Sequence, residues 1–154
     1  MWGKTPNVVA LTQGSAEGRT SLNAFDNALL AAGIGDLNLI QVSSVYPAGA
    51  ELAEVPDIPP ASLVPVVYSY HESTVPGEMV SACVGVGRRD GDFGLLFEYS
   101  HKGPAVIAEE VVTRMIEEGF QQRGVSDFEV ELVSTEHRVD RIGCAVAAAV
   151  MWWG

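Results

Sequence analysis

Ser43 and Ser44 stand side by side at the end of "LNLIQVSS", directly before Val45, Tyr46 and Pro47. Adjacent hydroxyls after an apolar β run have two readings. Serine bonds readily to nearby backbone and favours turns, so the pair can mark a strand-to-turn transition. A serine hydroxyl is also a nucleophile, and the pair can also be a site of backbone chemistry, though taken locally the turn is the favoured reading. Glu98, inside "GLLFEYS", is a second group of interest. Period-two alternation puts it on the strand face of Leu96, with Leu95, Phe97 and Tyr99 opposite. If that face is covered, the carboxyl loses hydration, stays protonated nearer neutral pH and can donate a proton; on an edge strand it simply faces water. Asp26 is the third. It follows Leu22 by four residues in an apolar helical pattern, so it lies roughly 40° from Leu22 around the axis. That position suits a solvated acid and also an acid aimed into a cleft.

The usual cofactor motifs are missing. No G-x-G-x-x-G follows the first strand, no phosphate-loop or H-E-x-x-H motif occurs, and His71, His101 and His137 are scattered. The glycines of "GVGRRDG" precede no helix. The lysines are Lys4, near the terminus, and Lys102, in a turn, which makes a pyridoxal-phosphate Schiff base a poor expectation. Ser44 lacks the G-x-S-x-G elbow, although a triad assembled from distant segments stays open. Cys83 and Cys144 sit in apolar runs without metal-ligand spacing and read as small buried thiols.

The elements that must position these groups begin with a strand at "NVVALTQ" (7–13). A loop "GSAEGRT" then leads to a helix capped by Thr20 or Ser21 and ending at Gly33, with Leu22, Phe25, Leu29 and Ala32 as its apolar stripe. "LNLIQVSSVYP" reads as one buried second strand, and "AGAELAEVPDIPPAS" as a long acidic loop. Three β runs follow, at 63–73, 78–87 and 93–100, in the pattern of an antiparallel sheet. A second helix over "HKGPAVIAEEVVTRMIEEGFQQRG" has Pro104 at its first turn and Ile107, Val111, Met115 and Ala108 on one face; Glu109, Glu110, Glu117 and Glu118 form its solvated side. "DFEVELVST" alternates as a strand, and "RIGCAVAAAVMWW" is a strand candidate despite its alanines. Two long helices and about seven strands outside βαβ spacing predict an α+β layered sandwich.

At 154 residues the chain has single-domain size and can bury roughly 70% of its unfolded surface. Twenty acids against nine basic residues give a net charge of −11, which excludes a nucleic-acid phosphate partner and favours cationic or neutral ligands. Charged residues are only 19% of the chain, so part of the surface is expected to be covered by other subunits. No secretion signal is read at the amino terminus and the longest apolar run is short for a membrane span, so a soluble, cytoplasmic protein is expected.

Taken together, Asn38 six residues before Ser44 in "LNLIQVSSVYP", the later "GLLFEYSHKG" and the closing "GCAVAAAV" resemble the pyruvoyl-dependent arginine decarboxylases. The resemblance runs in order over nearly the whole chain, and its most specific part is N-x(4)-S-S with proline within three residues.

The resemblance implies a four-layer αββα sandwich, assembled as trimers or pairs of trimers with sites between subunits. It implies self-cleavage, in which the Ser44 hydroxyl attacks the Ser43 carbonyl. The single domain 1–154 would then become a β chain, 1–43, and an α chain, 44–154, with a covalent pyruvoyl group at position 44 and no metal. That ketone would serve arginine decarboxylation to agmatine and carbon dioxide. By the same resemblance Glu98 donates a proton, Asn38 assists at the cleavage and pyruvoyl site, and Asp26 receives the guanidinium. Leu29, Gly35, Leu37 and Val45 map to pocket positions, and the Ser43 carboxylate freed by cleavage can contact substrate. Tyr46 is larger than the aliphatic residue expected there, which bears on the choice among arginine, ornithine and lysine. A non-catalytic relative that keeps the fold uncleaved, as a partner or cation-binding subunit, is the competing expectation.

Overall fold

The computed structural model describes residues 3–154, leaving Met1 and Trp2 outside the account. Its elements are β1 (Val8–Glu17), α1 (Ser21–Ala31), β2 (Asn38–Gln41), β3 (Val45–Tyr46), β4 (Glu51–Ala53), β5 (Leu63–Ser73), β6 (Met79–Arg89), β7 (Asp92–Lys102), α2 (Ala105–Gln122), β8 (Glu129–Arg138) and β9 (Gly143–Trp152). Five strands form one sheet in the order β2-β5-β9-β1-β4, and four form a second in the order β3-β7-β6-β8.

Three apolar layers glue these elements into an αββα sandwich. Val9, Val67, Val84, Leu96, Ala147 and Met151 fill the space between the sheets. Ala24, Ala28 and Leu29 of α1 cover the outer face of the five-stranded sheet at Val66, Val146 and Ala148. Val112, Ile116 and Phe120 of α2 cover the other sheet at Cys83 and Leu95. Burying a large apolar side chain of this kind contributes about 1.5–3 kcal/mol. The expected sandwich is therefore the observed one.

The alanines of β9 have a steric reason. This strand is central, covered on both faces, and its first nine residues are all buried. Small side chains let α1 lie directly on the sheet: a Cβ at Gly14 in the neighbouring β1 would come within 2.4 Å of Ala28 O. Both cysteines are buried free thiols, and desolvation pushes the pKa of each up to about 12.

Several local expectations change. β1 continues to Glu17, past the anticipated loop, because β9 pairs with it over its full length. Thr20 does cap α1, its Oγ1 accepting from Asn23 N. The buried face of α1 is Ala24, Ala28 and Leu29, whereas Leu22 is 75% exposed. α2 is likewise rotated by one residue, burying Ala108, Val112, Ile116 and Phe120 and leaving Ile107 exposed. Glu109 is half-buried and accepts from the Ser134 hydroxyl of β8, so it is not part of a free solvated face. β6 and β7 pair antiparallel as expected, but β5 belongs to the other sheet. The "LNLIQVSSVYP" segment is two short strands, and that division builds the site.

Candidate active site

Strand β2 pairs parallel with β5 at one edge of the five-stranded sheet, whereas β3 pairs antiparallel with β7 in the four-stranded sheet. Ser43 and Ser44 are the crossing from one sheet to the other. β2 is a half-exposed edge strand, with Leu39, Ile40 and Val42 only partly buried, so the expectation of a buried strand is corrected. The crossing is fixed on both sides. Val42 N donates to Val66 O of β5 over 3.0 Å, and Leu96 N of β7 donates to Ser44 O over 2.9 Å. Within the crossing, Val45 N donates to Ser43 O over 3.0 Å, closing a γ-turn about Ser44. Ser43 is exposed and Ser44 half-buried. Tyr46 anchors the far side: its ring is 3% exposed in the inter-sheet core, and its hydroxyl donates to Ala50 O. Its size serves packing at that point.

Glu98 lies two residues along β7 from Leu96, on the same strand face. Its cross-strand partner is Val84, whose side chain is in the inter-sheet core. Across the gap, Ser69 Oγ of β5 lies 3.0 Å from Cys83 O and 3.2 Å from Tyr99 O, the carbonyls beside that pair. The sheets thus close tightly around Glu98. Half-buried there, the carboxyl is pushed above its ordinary range by desolvation. Of the two readings in sequence, the desolvated one holds.

The other site candidates gather at the opposite end of β2. Leu29 is buried on the sheet-facing side of α1, and Ile34 N donates to its carbonyl. Gly35 is held against Leu30, where a Cβ would meet the Leu30 side chain and Leu30 N within 2.8 Å. Leu37 is half-buried in the same layer. Asn38 opens β2, and its Nδ2 donates to Ala61 O while its backbone N donates to Ser62 O. Ala61 needs this clasp, being the one non-glycine residue with positive φ (66°) among those described. Four residues of strand separate Asn38 from Val42 by about 13 Å before the chain even reaches Ser44. One protomer therefore does not bring Asn38 to Ser44.

Asp26 is exposed on the outward face of α1, between Leu22 and Leu30, which are 75% and 49% exposed. It is four residues from each, so the three form one stripe pointing away from the core. The expected neighbourhood of Leu22 and Asp26 is present, but it faces out of the protomer.

The model of the family described as pyruvoyl-dependent arginine decarboxylase matches residues 8–153. The chain belongs to this family. It is 46% identical over 152 residues to the pyruvoyl-dependent arginine decarboxylase of Methanocaldococcus jannaschii, covering 97% of this chain and 92% of that one. Against the proteins of the same name from Pyrococcus furiosus and Thermococcus kodakarensis the identity is 47% and 46%, with 96% of each chain covered. The family's covalent pyruvoyl group implies a serine at a cuttable bond, and the Ser43–Ser44 crossing fits that demand: an accessible peptide, a bonded carbonyl and a half-buried acid on the adjoining strand. Among the described residues no three His, Cys, Asp or Glu side chains are grouped to hold a metal, and no helix is long and apolar enough to cross a membrane.

Sequence reasoning missed the backbone donors. Leu96 N and Val45 N carry no side-chain signature, and only the pairing of β3 with β7 reveals them.

Proposed function

We propose that this chain is cut between Ser43 and Ser44 and then decarboxylates arginine to agmatine and carbon dioxide. The observation that carries the reading is the crossing itself: the Ser43–Ser44 peptide is pinned between two sheets by Val66 and Leu96, with Glu98 raised toward protonation two residues away on the same strand.

A pyruvoyl group at position 44 would supply a ketone for an α-amine and an electron sink beside it. The chain's own residues do the rest. Leu96 N–H holds the Ser44 carbonyl oxygen in place and offers a fixed dipole where negative charge is drawn. Glu98, whose carboxyl burial pushes above its ordinary range, delivers a proton to carbon after carbon dioxide leaves. Asp26 receives the planar guanidinium through two parallel hydrogen bonds. Leu29, Gly35, Leu37 and Val45 shape the pocket, and the Ser43 carboxylate borders it.

The separation along β2 supports a site shared between protomers of a trimer or a pair of trimers. The group of Asp26, Leu29, Gly35, Leu37 and Asn38 would meet the Ser43–Ser44 crossing and Glu98 of a neighbour. Two exposed leucines flanking Asp26 and a free edge on β2 are surfaces that such a neighbour would cover. In that arrangement Asn38 presents its remaining amide capacity to the neighbour's Ser44.

The experiment is turnover of the purified protein with arginine, ornithine and lysine, reading amine product and released carbon dioxide. Agmatine formed in preference to the products of the other two supports the proposal; a cleaved protein that leaves arginine untouched contradicts it.

A further inference from the structure

Cleavage of a peptide by its own serine needs a donor for the oxygen that becomes negative, and the crossing contains one. Ser43 O accepts a hydrogen bond from Val45 N over 3.0 Å. That N–H is not occupied in the sheet. Leu96 N bonds Ser44 O, so residues 44 and 96 form the hydrogen-bonded pair of the antiparallel ladder and Val45 with Leu95 the non-bonded one. Val45 N–H is thereby left to turn back onto Ser43.

We propose that Val45 N–H is the oxyanion donor of self-cleavage. This deepens the function above and rests on its cleavage step. Ser44 Oγ forms a bond to the Ser43 carbonyl carbon as it loses its proton. Negative charge collects on Ser43 O, where the Val45 N–H already points, and the donor needs no reorganisation as the charge grows. The carbon–nitrogen bond to Ser44 then breaks while that nitrogen takes up a proton, leaving an ester and a free amine. In the next step Ser44 loses its Cα proton and the Cβ–Oγ bond breaks, so that Ser43 departs as a carboxylate. Dehydroalanine remains at 44, and water converts it to the ketone with release of ammonia. Val42 and Leu96 hold the two sides of the bond, which keeps the γ-turn closed while the carbonyl is attacked.

The test uses the full chain 1–154 made by cell-free translation, with cleavage timed by intact mass. Val45 is replaced by its α-hydroxy acid, which deletes the N–H and keeps the side chain. Val45→Pro is the second variant, and the α-hydroxy acid of leucine at 96 removes the donor to Ser44 O. Losing one oxyanion donor costs about 10²–10³ in rate, so both changes at 45 are expected to slow cleavage about 100-fold. The change at 96 should slow it less than tenfold. Hydroxylamine, which captures the ester, should release no 1–43 hydroxamate faster from Val45→Pro, because the block precedes the ester. Cleavage within threefold of the unaltered chain by the hydroxy-acid variant at 45, rapid hydroxylamine release, or equal slowing at 45 and 96 would overturn the proposal. An unaltered chain that never cuts would instead remove the function on which it rests.

Discussion

Leu96 donates its backbone N–H to the Ser44 carbonyl over 2.9 Å, and this single bond ties the seryl crossing to the strand that carries Glu98. The proposed cleavage position and the proposed proton donor are therefore both held by one continuous piece of β7. Packing at Leu96, which is fully buried between the sheets, fixes both.

Glu98→Gln should cut at the ordinary rate and turn over about 10²–10⁴-fold more slowly, since general-acid groups contribute that much. The substitution also has a stability signature. Glu98 has a folded pKa raised by burial, so the folded state binds its proton more tightly than the unfolded chain. Its penalty is absent below the unfolded value of about 4.3 and grows as pH rises from there, reaching its full size above the folded value. Thermal unfolding should find Glu98→Gln more stable than the parent at pH 8 and equal to it near pH 3.5. Equal turnover by the two proteins would reject Glu98 as donor.

Asp26→Ala should leave cleavage and unfolding temperature unchanged, because the side chain is exposed and outside the core. A hydrogen bond between charged groups contributes about 1.5–3 kcal/mol, so KM for arginine should rise roughly 10- to 100-fold. Steady-state kinetics at saturating arginine separates this from a change in kcat. An unaltered KM would place the guanidinium elsewhere.

Gly94 is the pairing partner of Tyr46, and a Cβ there would come within 2.1 Å of Gly87 O in β6. Backbone, not a flexible side chain, must move. Gly94→Ala should lose about 1–3 kcal/mol in denaturant unfolding and slow self-cleavage by loosening β3 against β7. Retention of both stability and cleavage rate would show that the crossing does not depend on this register.

Glu17 joins the end of β1 to the turn before β9, accepting from Arg141 N and Ile142 N while His137 of β8 contacts its other oxygen. Desolvation pushes its carboxyl up, but the backbone bond from Arg141, together with His137 and Asp140, brings the net value below the ordinary range. A depressed acid adds stability above its unfolded value of about 4.3, and that stability is lost as pH falls through the folded value. Glu17→Gln should lower the unfolding temperature at pH 7 and have little effect near pH 2. A constant difference across that range would mean that the carboxylate's charge is not involved.

The layers were legible in the sequence because both helices carry apolar residues at helical spacing, β8 alternates, and β5, β6, β7 and β9 are apolar runs of strand length. The rotation of each helix was not legible. In α2 the stripes Ile107/Val111/Met115 and Ala108/Val112/Ile116 are both apolar, and the sheet selects the one whose small Ala108 and Gly119 allow close approach. In α1 the alanines win over Leu22 for the same reason. "LNLIQVSSVYP" read as one strand because its apolar pattern is continuous, whereas its division comes from distant partners, β5 for Leu39 and β7 for Val45. Ser44 and Glu98 were recognisable by type and resemblance. The donors Val45 N and Leu96 N were not, since any residue but proline carries an N–H.

The central claim is most directly tested by the intact mass of the purified protein. Residues 1–43 and 44–154 should appear as separate species, the larger beginning in a ketone that borohydride reduces and hydroxylamine captures. A single uncut chain of 154 residues after prolonged incubation would contradict the account.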